Sequence, residues 1–259
     1  METGVIVSTY LKRKVLFDVY YSFRMRHTKP AMLVLFNDGQ DLIHCGLPLM
    51  LSELDAHGII NPLMIVGIHA GRERKQEYGI AGMPNYEGRG SKADAYTFFI
   101  MKEMLPFLHQ HFHKINDIPK AFAGFSLGGL SALDIVWNHP DVFSKAGVFS
   151  GSLWWRGKSL EDDYDEYKDR IILGRLREGV YHPDLKFFFE CGTEDEKEDR
   201  NKNGIIDVID DTLDVMNELV EKGYQYPGDI VYHEIAGGKH DISTWMQALP
   251  AFFQFLSKN

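Results

Sequence analysis

The chain has 259 residues, 44% hydrophobic and 25% charged, which suits a globular domain with a large core, and its formal net charge of −9 argues against nucleic acid as a partner. No segment is apolar for long enough to span a bilayer, and the opening Met1-Glu2-Thr3-Gly4-Val5 lacks the basic and then apolar run of a secretory signal, so no membrane partner and a cytoplasmic location are expected. The two cysteines, Cys45 and Cys191, have no metal-type spacing and read as reduced, buried thiols.

In chain order, Val5 to Leu11, a basic turn at Lys12-Arg13-Lys14, and Val15 to Phe23 suggest an antiparallel hairpin. Ala31 to Phe36 is a buried strand that ends at Asn37-Asp38-Gly39-Gln40-Asp41, Leu47 to Ala56 a helix, and Leu63 to Ile68 a strand. Residues 71–90 carry five glycines and many charges, the mark of a long functional loop. Ala93 to Phe112 reads as a helix, with Phe98, Met101, Leu105 and Leu108 on its apolar side. A short strand then runs into Gly124, followed by a helix from Leu127 to Trp137, a strand at Ala146 to Phe149 and a helix from Glu161 to Leu176. Leu185 to Cys191 is a strand, Asp211 to Lys222 a helix, Ile230 to Ile235 the last strand and Ile242 to Leu256 the last helix. This alternation predicts an α/β fold, a mostly parallel central sheet with an antiparallel N-terminal hairpin and helices on both faces, in one domain over residues 1–259. Nothing in the pattern speaks to oligomeric state.

Gly124-Phe125-Ser126-Leu127-Gly128-Gly129 lies between a strand and a helix and reads G-x-S-x-G, a nucleophile elbow. The sharp turn lifts the serine hydroxyl out of the sheet, and the small residues on either side let strand and helix approach closely. A serine needs a base, and the α/β-hydrolase order places an acid and then a histidine downstream. Of eleven histidines, His240 follows the last strand in Gly237-Gly238-Lys239-His240-Asp241, on a turn that can return to the elbow. The acid is expected just after Leu185 to Cys191, at Asp195, with Glu194 and Glu196 open as alternatives because spacing does not separate three neighbours. The Leu127 N–H and the Gln40 N–H are the expected oxyanion donors.

Residues 190–214 hold ten acids against Lys197, Arg200 and Lys202, a local net charge of 3 − 10 = −7. Within them Asp199, Asn201, Asn203, the Ile205 carbonyl, Asp207 and Asp210 fall at positions 1, 3, 5, 7, 9 and 12 of a calcium loop, with Gly204 at 6. A structural Ca²⁺ is therefore expected, with no organic cofactor. Position 12 is an aspartate, shorter than the usual glutamate, and no helix precedes the loop.

Together with Ser150-Gly151-Ser152-Leu153-Trp154-Trp155 and Cys191-Gly192-Thr193-Glu194-Asp195, these motifs resemble the esterase family of α/β-hydrolases that includes enterochelin, feruloyl and acetylxylan esterases and mycolyltransferases. The calcium stretch resembles an inserted dockerin-like loop. The resemblance implies a serine esterase acting through an acyl-enzyme on Ser126, with Asp195 and His240 as its partners. It implies a small-molecule ester substrate, siderophore-like, or alternatively a feruloyl or acetyl ester; a non-catalytic binding protein on the same fold is the other class. Basic residues of the long loop, Arg72 in particular, and the aromatics Tyr86, Trp154 and Trp155 are expected to line the substrate pocket.

Overall fold

The computed structural model describes residues 1–26 and 28–258. Eight strands form one sheet: β1 (Glu2–Ser8), β2 (Arg13–Tyr21), β3 (Met32–Asn37), β4 (Leu63–Ile68), β5 (Lys120–Phe125), β6 (Lys145–Phe149), β7 (Lys186–Gly192) and β8 (Ile230–Ile235). Their order across the sheet is β1-β2-β4-β3-β5-β6-β7-β8. The β1–β2 and β2–β4 pairs are antiparallel and the other five are parallel, as the alternating pattern predicts.

The central strands are apolar on both faces because both are covered. Leu33 and Leu35 of β3 enter one core cluster, and Val34 and Phe36 enter the other. The helices are α1 (Gly39–Leu42), α2 (Leu47–Ala56), α3 (Arg74–Glu77), α4 (Ala93–Phe99), α5 (Leu105–His111), α6 (Leu127–Asn138), α7 (Glu166–Asp169), α8 (Ile171–Glu178), α9 (Asp207–Lys222) and α10 (Ile242–Ser257). Helices α4, α5, α6, α8 and α9 supply the first cluster, and α2 and α10 the second.

Four segments depart from the sequence reading. The helix expected over 93–112 is split by a π-helical turn, Ile100–Met104. Pro106 explains it: with no N–H, and a ring that crowds the carbonyl of Lys102, it forces the preceding turn to widen. The wider turn shifts the apolar side, so Phe98 is exposed and stacks on Tyr10, while Tyr96, Phe99 and Ile100 are buried. The helix expected over 161–176 is broken at Arg170, which is extended (φ −79°, ψ 102°) and buries its guanidinium among carboxylates. Helix α9 begins at Asp207, four residues before the expected Asp211, so Asp207 and Asp210 are already helical. The loop over 71–90 is docked, since it contains α3 and buries Tyr78 and Ile80 fully.

The chain passes from β3 to its neighbour β4 and then crosses back to β5 on the other side of β3. In such sheets the crevice beyond the carboxyl ends of the strands at this switch is where ligands bind. A cavity of about 740 Å³ includes Tyr21 at the end of β2 and Met64 at the start of β4, at the opposite end of the parallel strands.

Candidate active site

Ser126 follows β5 with φ 53° and ψ −122°, a backbone region that L-residues occupy only when their surroundings impose it. Its N–H donates to the Phe149 carbonyl at 2.8 Å, and its own carbonyl accepts from Gly129 at 3.0 Å and Ser152 at 3.2 Å. A Cβ on Gly124 would come within 2.5 Å of the Gly128 backbone, so the spacing of small residues is a packing requirement. The Ser126 hydroxyl thus stands at the head of α6, whose first-turn N–H groups lack intrahelical acceptors. Leu127 is the first of that turn and lines the same cleft.

Two loops bring the acid and the base together. Gly192 ends β7 against Gly238, where a Cβ would lie 2.3 Å from the Gly238 carbonyl oxygen. The Glu194 N–H donates to that carbonyl at 2.7 Å, and Gly237 N–H donates to the Thr193 hydroxyl at 2.8 Å. Asp195 is consequently buried, and its Oδ1 lies 3.1 Å from His240 Nδ1. With the carboxylate as acceptor, Nδ1 carries the proton and Nε2 is left as the basic nitrogen. The His240 ring meets the Trp245 edge at 5.2 Å, and Trp245 is itself stacked on Phe125 and donates to the Ser150 hydroxyl at 2.9 Å.

Of the other two acids, Glu194 is exposed, while Glu196 is half-buried and accepts the Val208 N–H at 2.5 Å. Burial, reinforced by the nearby carboxylates of Asp207, Glu198 and Asp211, pushes Glu196 up to about 7. Asp195 is therefore the acid in contact with the histidine. Ser126, Leu127, Asp195 and His240 line one cleft of about 300 Å³. The Ser126 Oγ lies 3.5 Å from the Ser152 hydroxyl.

Several expected residues stand elsewhere. Gln40 is not among the residues that line the cleft; α1 packs through Gly39 on Gly67 of β4, and the Gln40 side-chain Oε1 accepts the Ala70 N–H at 3.0 Å. Arg72 is exposed and lines neither the cleft nor its side chamber. Arg74, Lys75 and Arg89 face the cleft instead, Arg74 through a bidentate pair with buried Asp38 at 2.7 Å. Trp155 is among the residues that line the cleft, but as a core residue with no exposed surface and its indole N–H on the Met83 carbonyl at 3.0 Å. Trp154 is half-buried and lines both the cleft and an adjoining chamber, and Tyr86 lines only the chamber.

Sequence reasoning missed Glu190. It lies on β7 with both carboxylate oxygens buried and unpartnered among the described residues. Burial, then the charge of Asp195, raises its pKa to about 8. A lone acid in Phe187-Phe188-Phe189-Glu190-Cys191 was the signal that could have found it.

In the expected calcium loop, Asp199 accepts the Asn203 and Gly204 N–H groups at 3.1 and 2.9 Å, and the Asn201 and Asn203 amides donate to Asp210 at 2.6 and 3.1 Å. Asn203 Oδ1 accepts the Ile205 N–H at 2.8 Å. Four hard-oxygen side chains thus adjoin one another. Asp207 is not with them: it accepts from the Arg200 N–H at 2.8 Å and pairs with its guanidinium at 3.2 Å. Among the described residues no group of three His, Cys, Asp or Glu is arranged to hold a metal ion. The local charge also has a protein answer, since fully buried Arg170 pairs with Asp211, Asp214 and Glu166, and Arg200 with Glu166, Asp207 and Asp211. Cys45 and Cys191 are both buried free thiols, as expected. Among the described residues no helix is long and apolar enough to cross a membrane.

Residues 8–256 match the profile of the family described as "Putative esterase". The siderophore enterobactin esterase of Emericella nidulans is 30% identical over 112 residues, 43% of this chain and 35% of that protein. The enterobactin esterase FES from Shigella flexneri, solved in the presence of enterobactin, superposes with a TM-score of 0.75 at 19% identity, over 98% of this chain and 58% of that one. A ferulic acid esterase gives 0.72 at 19% identity over 99% and 96%. These likenesses give the α/β-hydrolase type of fold. The chain spans little more than half of the enterobactin esterase structure it matches.

Proposed function

The chain belongs to this esterase family, and from that premise we propose that it is a carboxylic ester hydrolase whose triad is Ser126, His240 and Asp195. The Asp195–His240 contact, in the same cleft as a strained Ser126, is the observation that carries the reading. As Ser126 Oγ attacks the carbonyl carbon, His240 Nε2 takes its proton, and Asp195 stabilises the imidazolium without becoming protonated. The Leu127 N–H meets the developing oxyanion. The imidazolium returns its proton to the departing alkoxide, leaving an acyl-enzyme, and a water molecule repeats the sequence on that ester to release the acid.

The substrate class we assign is a siderophore-type ester; the basic Arg74, Lys75 and Arg89 on the cleft and the names of the relatives favour it. Ser126→Ala is expected to lower kcat/KM for 4-nitrophenyl acetate by at least about 10⁴-fold. A wild type no faster than this variant would sink the esterase reading and leave a binding protein on a hydrolase fold.

We further propose that Asp199, Asn201, Asn203, Asp210 and the Ile205 carbonyl would hold a structural calcium ion that steadies the segment following Asp195, because the four side chains already adjoin one another on one loop. Calcium at a hundredfold excess over its Kd should then raise the melting temperature by about 5 °C after EDTA treatment. The rise should vanish in Asp199→Ala, and an unchanged wild-type melt would remove the ion from the account.

A further inference from the structure

Beside the Ser126 cleft lies a second chamber of about 300 Å³, and the two share Arg89, Trp154 and Glu196 as a common wall. Four carboxylates (Glu87, Glu196, Glu198 and Asp207) and three guanidinium groups (Arg89, Arg156 and Arg200) line this chamber. Each carboxylate that lines it has a partner: Glu87 pairs with Arg89 at 2.8 Å, and Asp207 with Arg200 at 3.2 Å. Glu196 accepts the Val208 N–H at 2.5 Å, and Glu198 the Lys197 N–H at 3.0 Å. Arg156 also lines the chamber, and among the described residues its guanidinium has neither a carboxylate nor a carbonyl partner. Its Nε is buried and makes no hydrogen bond.

The guanidinium is nevertheless held in place. It lies 4.9 Å from the Tyr86 ring centroid, 5.7 Å from Trp154 and 5.9 Å from Tyr164. The Arg156 carbonyl accepts the Tyr86 N–H at 3.0 Å, which fixes the nearest ring to the arginine backbone. Aromatic faces attract a guanidinium but satisfy none of its in-plane donors, which remain available to a planar anion. The buried Nε is out of a ligand's reach, so it is the terminal guanidinium nitrogens, which have no protein acceptor among the described residues, that can meet a ligand oxygen in the chamber.

We propose that this chamber is a subsite for a carboxylate carried by the substrate, so that the enzyme prefers esters bearing a carboxylate that reaches Arg156 when the ester carbonyl is at Ser126. The inference rests on the esterase reading and narrows its substrate class. Tyr86 and Trp154 flank the carboxylate and exclude water from its pairing with the arginine.

The test uses two probe series, because the carboxylate can stand on either side of the ester bond. One compares 4-nitrophenyl monoesters of succinic, glutaric and adipic acids with the uncharged butyrate, valerate and hexanoate. The other compares 4-acetoxybenzoate with 4-acetoxybenzamide. The readout is the ratio of kcat/KM for each charged ester to its neutral counterpart, which does not depend on how much of a variant is folded. In at least one pair the wild-type ratio should exceed that of Arg156→Gln by about tenfold, the yield expected for one charge-assisted pairing. Arg156→Lys should lie between them. A ratio that Arg156→Gln leaves unchanged in every pair overturns the subsite, while the esterase reading stands as long as Ser126→Ala abolishes hydrolysis of the neutral esters.

Discussion

Asp195→Asn is expected to lower kcat by about 10⁴-fold while leaving the fold and the cleft intact. The carboxylate does two things that an amide cannot. In the proposed triad, an acceptor 3.1 Å from Nδ1 would fix the His240 proton on that nitrogen and leave Nε2 free to receive the Ser126 proton. An asparagine can turn its NH₂ toward Nδ1, which moves the ring proton to Nε2 and presents Ser126 with a donor. The carboxylate also offsets the imidazolium charge as it forms, from a side chain with no solvent exposure and so with little screening. Glu194→Gln and Glu196→Gln should change kcat only slightly, since Glu194 is exposed and Glu196 caps the Val208 N–H through an oxygen that glutamine retains. Burst and steady-state kinetics with 4-nitrophenyl acetate separate the three variants. A large loss in Glu196→Gln with Asp195→Asn active would move the acid by one residue.

The contrast among these neighbours shows what a sequence can carry. The elbow, the histidine after the last strand and the position of the acid loop are legible because each depends on local steric demands. Small residues must stand where strand and helix backbones nearly touch, at Gly124 and Gly128, and where two loops nearly touch, at Gly192 and Gly238. Which of three consecutive acids turns inward depends on the Glu194 N–H reaching the Gly238 carbonyl, a contact 44 residues away that no window of sequence contains. The same blindness to distance weakened the charge argument. The acids after β7 looked uncompensated because Arg170, which pairs with Asp211 and Asp214, lies outside the segment. The unpaired guanidinium of Arg156 has no signature in the sequence, since the absence of a partner is a property of the folded neighbourhood.

Glu190→Gln is expected to raise stability at pH 8 by about 2 kcal/mol or more, and to do so less as the pH falls toward 5. In the folded protein the carboxyl group holds its proton up to about 8, because burial and the charge of Asp195 both oppose ionisation. In the unfolded chain it titrates near 4.5. Between those values the folded state binds one more proton than the unfolded state, so stability falls as pH rises, by about 1.4 kcal/mol per unit, and levels off above the folded pKa. Below the unfolded pKa both states are protonated and the group contributes no pH dependence. Glutamine removes the titration but leaves an unpartnered amide in the same buried place, which costs about 1–3 kcal/mol at every pH. The two effects oppose each other at pH 5 and the titration dominates at pH 8, where the variant should melt about 4–8 °C above the wild type. Glu196 and Asp134, raised to about 7 and about 6, also titrate in this range, but they do so in both proteins, and their contribution largely cancels in the difference. A melting difference that does not change between pH 5 and pH 8 would mean that Glu190 is ionised in the folded protein throughout that range, as it is in the unfolded chain. The buried acid behind Asp195 would then have to be ionised at neutral pH and balanced by a group not seen to touch it.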